Sequence, residues 1–236
     1  MCGRYSRGQK DLFYVEPLMS DAGDPRFEGH PEIFRPSWNV SPGTSQPIIG
    51  PGGARLEIWG FRPTWAVARK YPMMINARLD KATSSTWKGL FKSGRVLVPA
   101  DGWYEWLPTA GKKQPYFIQA NSGPPVYFAG LSSAHRDATS REEHPGTVFG
   151  FVLVTAPAEC GMLDVHDRRP LVLTLAEAKV WLDPVTTLEE AVHLANNADK
   201  SSNDFHWHKV TPEVNRSGND NPAFNDPIDP GATSTG

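Results

Sequence analysis

Proline and glycine punctuate this chain from end to end, and they limit the length of everything between them. The 236 residues include 22 prolines and 21 glycines. Proline fixes φ and lacks an N–H donor, glycine tolerates left-handed backbone, and together they favour turns and loops. The runs left between them are short and mostly strand-like. Residues 46–49 and 55–60 read as two strands across the hairpin Gly50-Pro51-Gly52-Gly53. Val96-Leu97-Val98, residues 115–119 and 126–131, Leu171-Val172-Leu173 and 205–210 read as further strands, and the nearly continuous apolar run 149–155 as a central one. Helical signals are fewer: an amphipathic stretch at 9–20, residues 84–92 with Trp87, Leu90 and Phe91 on one face, residues 157–164, and two capping boxes, Thr174 with Glu177 and Thr187 with Glu190. With no internal repeat and no linker, this order predicts a single α+β domain over residues 2–215. Its core is an antiparallel or mixed, barrel-like β-sheet flanked by short helices. Residues 21–37 and 135–146 read as loops, and the Asn-, Asp-, Pro- and Gly-rich residues 216–236 as a disordered tail.

Hydrophobic residues make up 39% and charged residues 21%, as in soluble globular proteins. Net charge is −2, so any anion site must come from locally clustered arginine. Two cysteines, Cys2 and Cys160, exclude a disulfide framework and fit a reducing cytoplasm. No apolar run reaches transmembrane length and there is no signal peptide, so no membrane partner is expected. The expected state is a cytoplasmic monomer.

Cys2 sits directly behind the initiator methionine, and its small side chain allows Met1 to be cut off. It would then carry a free α-amine beside its thiol. An α-amine has a pKa of ~7.7–8.0 against ~10.4 for lysine, so far more of it is neutral at pH 7. The thiol is the strongest side-chain nucleophile at that pH. Together they can trap an aldehyde: the amine condenses to an imine and the sulfur closes a five-membered thiazolidine. An internal cysteine cannot, because its nitrogen is an amide. Taken alone, Cys2 reads better as an ordinary residue near a frayed terminus.

Four polar groups lie in apolar, strand-like surroundings: Asn76, Glu105, His166 and Asp167. In Trp103-Tyr104-Glu105-Trp106, strand alternation puts Trp103 and Glu105 on one side and Tyr104 and Trp106 on the other. A carboxylate so placed has a partner or a raised pKa, which would make it an acid/base near pH 7; a solvent-facing glutamate fits the pattern as well. His166 reads as a proton shuttle, a metal ligand or a structural histidine. No His/Cys/Asp spacing resembles a zinc site, and His206 and His208, on one strand face, read as surface residues. With no Gly-rich phosphate loop and no Gly-x-Ser-x-Gly elbow, neither a metal nor a cofactor is expected. Cys160, without a basic neighbour, reads as inert. Arg4, Arg62, Arg78, Arg95, Arg168 and Arg169 lie at these motifs, in company with Trp38, Trp65, Trp103 and Trp106. Planar cations and aromatic faces are what a single-stranded nucleic-acid groove needs; tryptophans in a core and arginines on a surface give the same list.

Cys2-Gly3-Arg4-Tyr5, Trp38-Asn39-Val40-Ser41-Pro42, Trp59-Gly60 with Pro63 and Trp65, Asn76-Ala77-Arg78, residues 98–106 and Val165-His166-Asp167-Arg168-Arg169-Pro170 follow in that order. The chain thereby resembles the SRAP (SOS-response-associated peptidase) family of abasic-site-processing proteins over residues 2–215. The resemblance implies an α+β domain around a DNA groove and covalent capture of abasic single-stranded DNA by Cys2. It also implies roles: Asn76 orients the Cys2 amine, Glu105 assists sugar ring opening, and His166 contacts the sugar oxygen. Arg4, Arg78 and Arg168 bind phosphates, Lys88 stands where an arginine is common in that set, and Asn39, Pro42 and Trp65 line a kinked strand. Asp80-Lys81 stands where many members have Glu-Thr. Two other functions compete: a cysteine peptidase, in its narrowest form acting only on its own Met1, and a non-covalent single-strand binding module.

Overall fold

The computed structural model describes all residues except 1, 20–32, 110, 135–144, 160–161, 163–165, 199, 230–233 and 236. In chain order the described elements are β1 (Tyr5–Arg7), α1 (Asp11–Val15), β2 (Ser37–Val40), β3 (Ser45–Gly50), β4 (Gly53–Ile58), α2 (Thr64–Ala68), β5 (Asn76–Arg78), α3 (Lys88–Ser93), β6 (Arg95–Ala100), β7 (Gly102–Thr109), β8 (Lys112–Ala120), β9 (Val126–Ser132) and β10 (Phe151–Pro157). They continue with β11 (Arg168–Pro170), β12 (Val172–Leu173), α4 (Leu175–Leu182), α5 (Leu188–Asn196), β13 (Phe205–Lys209) and β14 (Ser234–Thr235). No helix is long and apolar enough to cross a membrane.

Two sheets form. One has the order β14-β13-β8-β7-β1-β2; the larger has β11-β10-β9-β6-β3-β4, with β12 beside β9 and β5 beside β10. The β5–β10 pairing is parallel and the other strand pairings are antiparallel. Strand alternation then sorts the side chains into layers. Val96 and Val98 of β6 point into a core shared by the two sheets, with Tyr5, Trp103, Ile118, Phe128, Phe151 and Phe205. Leu97, between them, joins Val152, Val154, Phe91, Trp181 and Leu188 in a second core under the helices. Each such side chain contributes roughly 1.5–3 kcal/mol on burial. Tyr104 and Phe117, on the outer face of the smaller sheet, pack with Val210, Val214 and Phe224.

Both capping boxes form: Glu177 Oε2 accepts from the Thr174 N–H at 2.7 Å, and Glu190 Oε2 from the Thr187 N–H at 2.8 Å. The stretch 9–20 is less helical than its pattern predicts, because Pro17 confines α1 and turns residues 16–18 into a 3₁₀ turn. The expected helix at 157–164 is replaced at its first residue by the end of β10, and half of it, 160–161 and 163–164, lies outside the described residues, as do most of loops 21–37 and 135–146, and Cys160.

The expectation of a disordered tail from 216 is corrected for residues 216–229. Phe224 is buried at 3% exposure, and Asn221 caps a 3₁₀ turn over 222–225. Asn225 Oδ1 accepts from the Tyr104 hydroxyl at 2.6 Å, and its Nδ2 donates to Ser6 Oγ at 2.9 Å. One aromatic anchor and asparagines that satisfy backbone and side-chain groups suffice to order a polar segment, which average composition hides. The same segment covers His208, whose Nε2 lies 2.8 Å from Asn225 O, so His208 is buried rather than on the surface; His206 remains half-buried.

Candidate active site

Cys2 enters the shared core just ahead of β1 and is fully buried. Tyr5 pairs with Trp103 of β7, and the Tyr104 N–H bonds to Arg4 O at 3.0 Å. Continuing that register sets Glu105 opposite Gly3, next to Cys2. Alternation along β7 turns Glu105 inward with Trp103, at 3% exposure. On the other side of Cys2 lies β5, held parallel to β10 with Asn76 opposite Leu153. Asn76 Nδ2 donates to Cys2 O at 2.9 Å, and its buried Oδ1 accepts no hydrogen bond among the described residues. Trp59, stacked on Phe151, fixes β5 by donating Nε1–H to Ile75 O at 3.0 Å.

Burial dominates the electrostatics here. It pushes the Glu105 carboxyl up to about 8, with the charge of Asp167 adding to the shift and the amino-terminal charge opposing it. Burial also pushes the Cys2 thiol up, and the Glu105 carboxylate adds to that shift. His166 Nδ1 accepts the Arg168 N–H at 3.0 Å and lies 2.9 Å from Asp167 Oδ1. Asp167 is 80% exposed, so water screens its pull; burial wins and lowers the His166 pKa. That shift favours the neutral ring at pH 7.

Beyond this pocket the predicted contact residues separate into groups. Arg78 is exposed and makes a two-pronged contact with Asp80, Nε to Oδ1 at 3.0 Å and Nη2 to Oδ2 at 2.8 Å. Arg168 Nη1 is 3.9 Å from the same Asp80, while Nε and Nη2 hold Thr155, which pairs with Arg78. Arg4 and Asn39 are buried and joined, Nη1 to Oδ1 at 2.6 Å, but the C-terminal segment occupies both. Arg4 also donates to Val214 O and Ser217 Oγ, and Asn39 Nδ2 to Arg216 O and Asn219 O. A cavity of about 400 Å³ opens beside Arg4, lined by Gly3, Trp106, Lys113 and Asn215. Trp65 is 41% exposed on α2, Pro42 is half-buried in the turn after β2, and Lys88 is exposed at the start of α3. None of the described hydrogen bonds joins these three side chains to Cys2. Arg95 and Arg169 are structural: Arg95 bonds to the carbonyls of Phe91, Trp181, Asp183 and Thr186, and Arg169 to Lys200 O.

The sequence reading left out Thr155 and the tie from Trp59 to Ile75. Neither carries a signal, since a threonine ending an apolar strand and a buried tryptophan are common. Asp80 as a counter-ion was legible two residues after Arg78. Among the described residues no three His, Cys, Asp or Glu side chains are arranged to hold a metal ion.

Fold and site together define a class: an α+β protein whose Cys2 thiol is buried between sheets beside a carboxyl of raised pKa and an anchoring amide. The chain belongs to the SRAP family, described as SOS response associated peptidase, whose profile matches residues 1–217. It is 36% identical to the abasic site processing protein YedK of Escherichia coli, over 91% of this chain and 94% of that one. It is 27% identical to the abasic site processing protein HMCES of Xenopus tropicalis, over 83% and 67%. The crystal structure of a phage-related protein from Bordetella bronchiseptica superposes with a TM-score of 0.70 at 34% identity, covering 89% of this chain and 94% of that one.

Proposed function

We propose that this protein processes abasic sites in single-stranded DNA, and that Cys2, once Met1 is removed, captures the lesion as a thiazolidine. The observation that carries this reading is the pairing of a buried Cys2, held through its carbonyl by Asn76 at 2.9 Å, with a carboxyl whose pKa lies near 8. The names of the relatives support the lesion; the side chains support the chemistry.

An abasic sugar is mostly a closed hemiacetal with no aldehyde to attack. At pH 7 a carboxyl with a pKa near 8 is about ten to one protonated, so Glu105 begins as an acid. One of its oxygens gives a proton to the ring oxygen while the other takes one from the C1 hydroxyl, and the ring C–O bond breaks. The Cys2 nitrogen adds to the freed aldehyde and water leaves, giving the imine. Sulfur then bonds to the imine carbon, and the thiol proton passes to nitrogen. One water is lost overall. Asn76 Oδ1, buried and unpaired, is suited to accept from the amine and aim its lone pair. His166, whose pKa burial lowers, is suited to exchange a proton with the sugar oxygen. Peptidase action on an added substrate is less well supported, because an amide is a far weaker electrophile than an imine and burial holds the thiol protonated.

The test is a variant with a residue that is not removed placed between Met1 and Cys2. It should bind abasic single strands and form no adduct. Adduct at the wild-type rate would transfer the chemistry to another amine.

A further inference from the structure

From Trp59 to Arg78 the chain carries four cations, Arg62, Arg69, Lys70 and Arg78, and no Asp or Glu, although the net charge of the whole is −2. This segment leaves and rejoins the fold where Phe61 and Met74 exchange two backbone hydrogen bonds of 2.8 Å, two residues short of Asn76. Between them α2 ends in a tight reversal. The Lys70 N–H bonds to Val67 O at 3.0 Å and the Tyr71 N–H to Ala66 O at 2.8 Å. Such a cap needs left-handed backbone, which Lys70 adopts at φ +57°, where glycine would be less strained. The reversal brings Tyr71 back beside Trp65, with ring centroids 6.0 Å apart and planes at 76°. Neither ring closes a core: Trp65 is 41% and Tyr71 51% exposed. The result is a corner of two nearly perpendicular aromatic faces, with exposed Arg69 and Lys70 beside it.

We propose that this corner is a base-binding platform, in which one nucleobase of a single strand stacks on the Tyr71 face with its edge toward Trp65 while Arg69 and Lys70 hold the flanking phosphates. The proposal rests on the single-stranded-DNA reading above and extends it to Tyr71, Arg69 and Lys70. Every nucleobase has a π-face and every link an anion, which matches rings set in an all-cationic segment. An apolar partner would gain the rings but leave the cations unpaired.

The test is the anisotropy of a fluorescein-labelled oligothymidylate that contains no abasic site. Tyr71→Ala should weaken binding about tenfold or more, as expected for loss of one base–aromatic stack, while Tyr71→Phe keeps wild-type affinity. Lys70→Ala should flatten the log–log salt dependence by about 0.7, one phosphate's share. Wild-type affinity in Tyr71→Ala, equal weakness in Tyr71→Phe, or a wild-type protein that binds no oligothymidylate overturns the platform. Adduct formation by the wild type on an abasic strand is scored separately. Its absence overturns the proposed function, whereas its presence with unchanged Tyr71→Ala affinity overturns the platform alone.

Discussion

Glu105→Gln should make the protein more stable and less active at once. Glu105 is 3% exposed, and burial lifts its carboxyl from 4.5 to about 8. In the unfolded chain it ionises at the lower value. Between the two values the folded state holds a proton that the unfolded state has lost, so unfolding free energy falls by up to ~1.36 kcal/mol per pH unit. Stability is thus fully present below pH 4.5 and is lost as pH rises to about 8. Over that window the loss is on the order of 5 kcal/mol, a large share of the roughly 5–15 kcal/mol typical of a folded domain. Glutamine keeps the shape and never ionises, so the variant lacks this slope. Urea unfolding should give nearly coincident curves for the two proteins at low pH, with the variant several kcal/mol ahead above pH 8. Single-turnover crosslinking to an abasic strand should meanwhile slow by about 10²–10⁴-fold. Equal stability at both extremes would mean that the carboxyl is solvated and ionised at neutral pH. Crosslinking at the wild-type rate would remove Glu105 from the chemistry even if the stability result held.

Three further outcomes are expected. Cys2→Ala should form no heat-stable adduct, whereas Cys2→Ser should leave an imine that borohydride traps; a heat-stable adduct from Cys2→Ala would exclude a thiazolidine. Asp80→Asn should tighten non-covalent single-strand binding severalfold and steepen its salt dependence, because Arg78 no longer faces a competing carboxylate at 2.8 Å; weaker binding would make Asp80 a positioning group instead. Phe224→Ala should cost about 3–5 kcal/mol in urea unfolding, the usual range for truncating a buried phenylalanine, and a cost below ~1 kcal/mol would mean that the C-terminal segment is not packed as described.

What was legible in the sequence was what short-range rules control. Alternation alone placed Glu105 on the same side of β7 as Trp103, while which side faces the core came from the structure, and Thr-x-x-Glu spacing located the starts of α4 and α5. Gly50-Pro51-Gly52-Gly53 marked the β3–β4 turn, where Gly53 sits at φ +107°. Interactions between distant residues were not legible. The three residues of β1 are too few to show a period, and they are strand only because β2 and β7 flank them. Arg4 carried no sign that its guanidinium would be taken up by Asn39, Val214 and Ser217, the last two more than two hundred residues away. α2 was not legible, because a five-residue helix between Pro63 and Pro72 gives no periodic signal. Arg95 looked like one more groove cation until its five hydrogen bonds to carbonyls fixed it in the core.

The central claim is that a free N-terminal cysteine closes a ring on the lesion, and an intact mass tests it most directly. The purified wild-type protein is incubated with an abasic single strand, heated without reductant and weighed. The account predicts one species whose mass is that of the chain lacking Met1 plus the DNA minus one water, with tandem fragmentation placing the modification on Cys2. No heat-stable species, or a species that retains Met1, would contradict it.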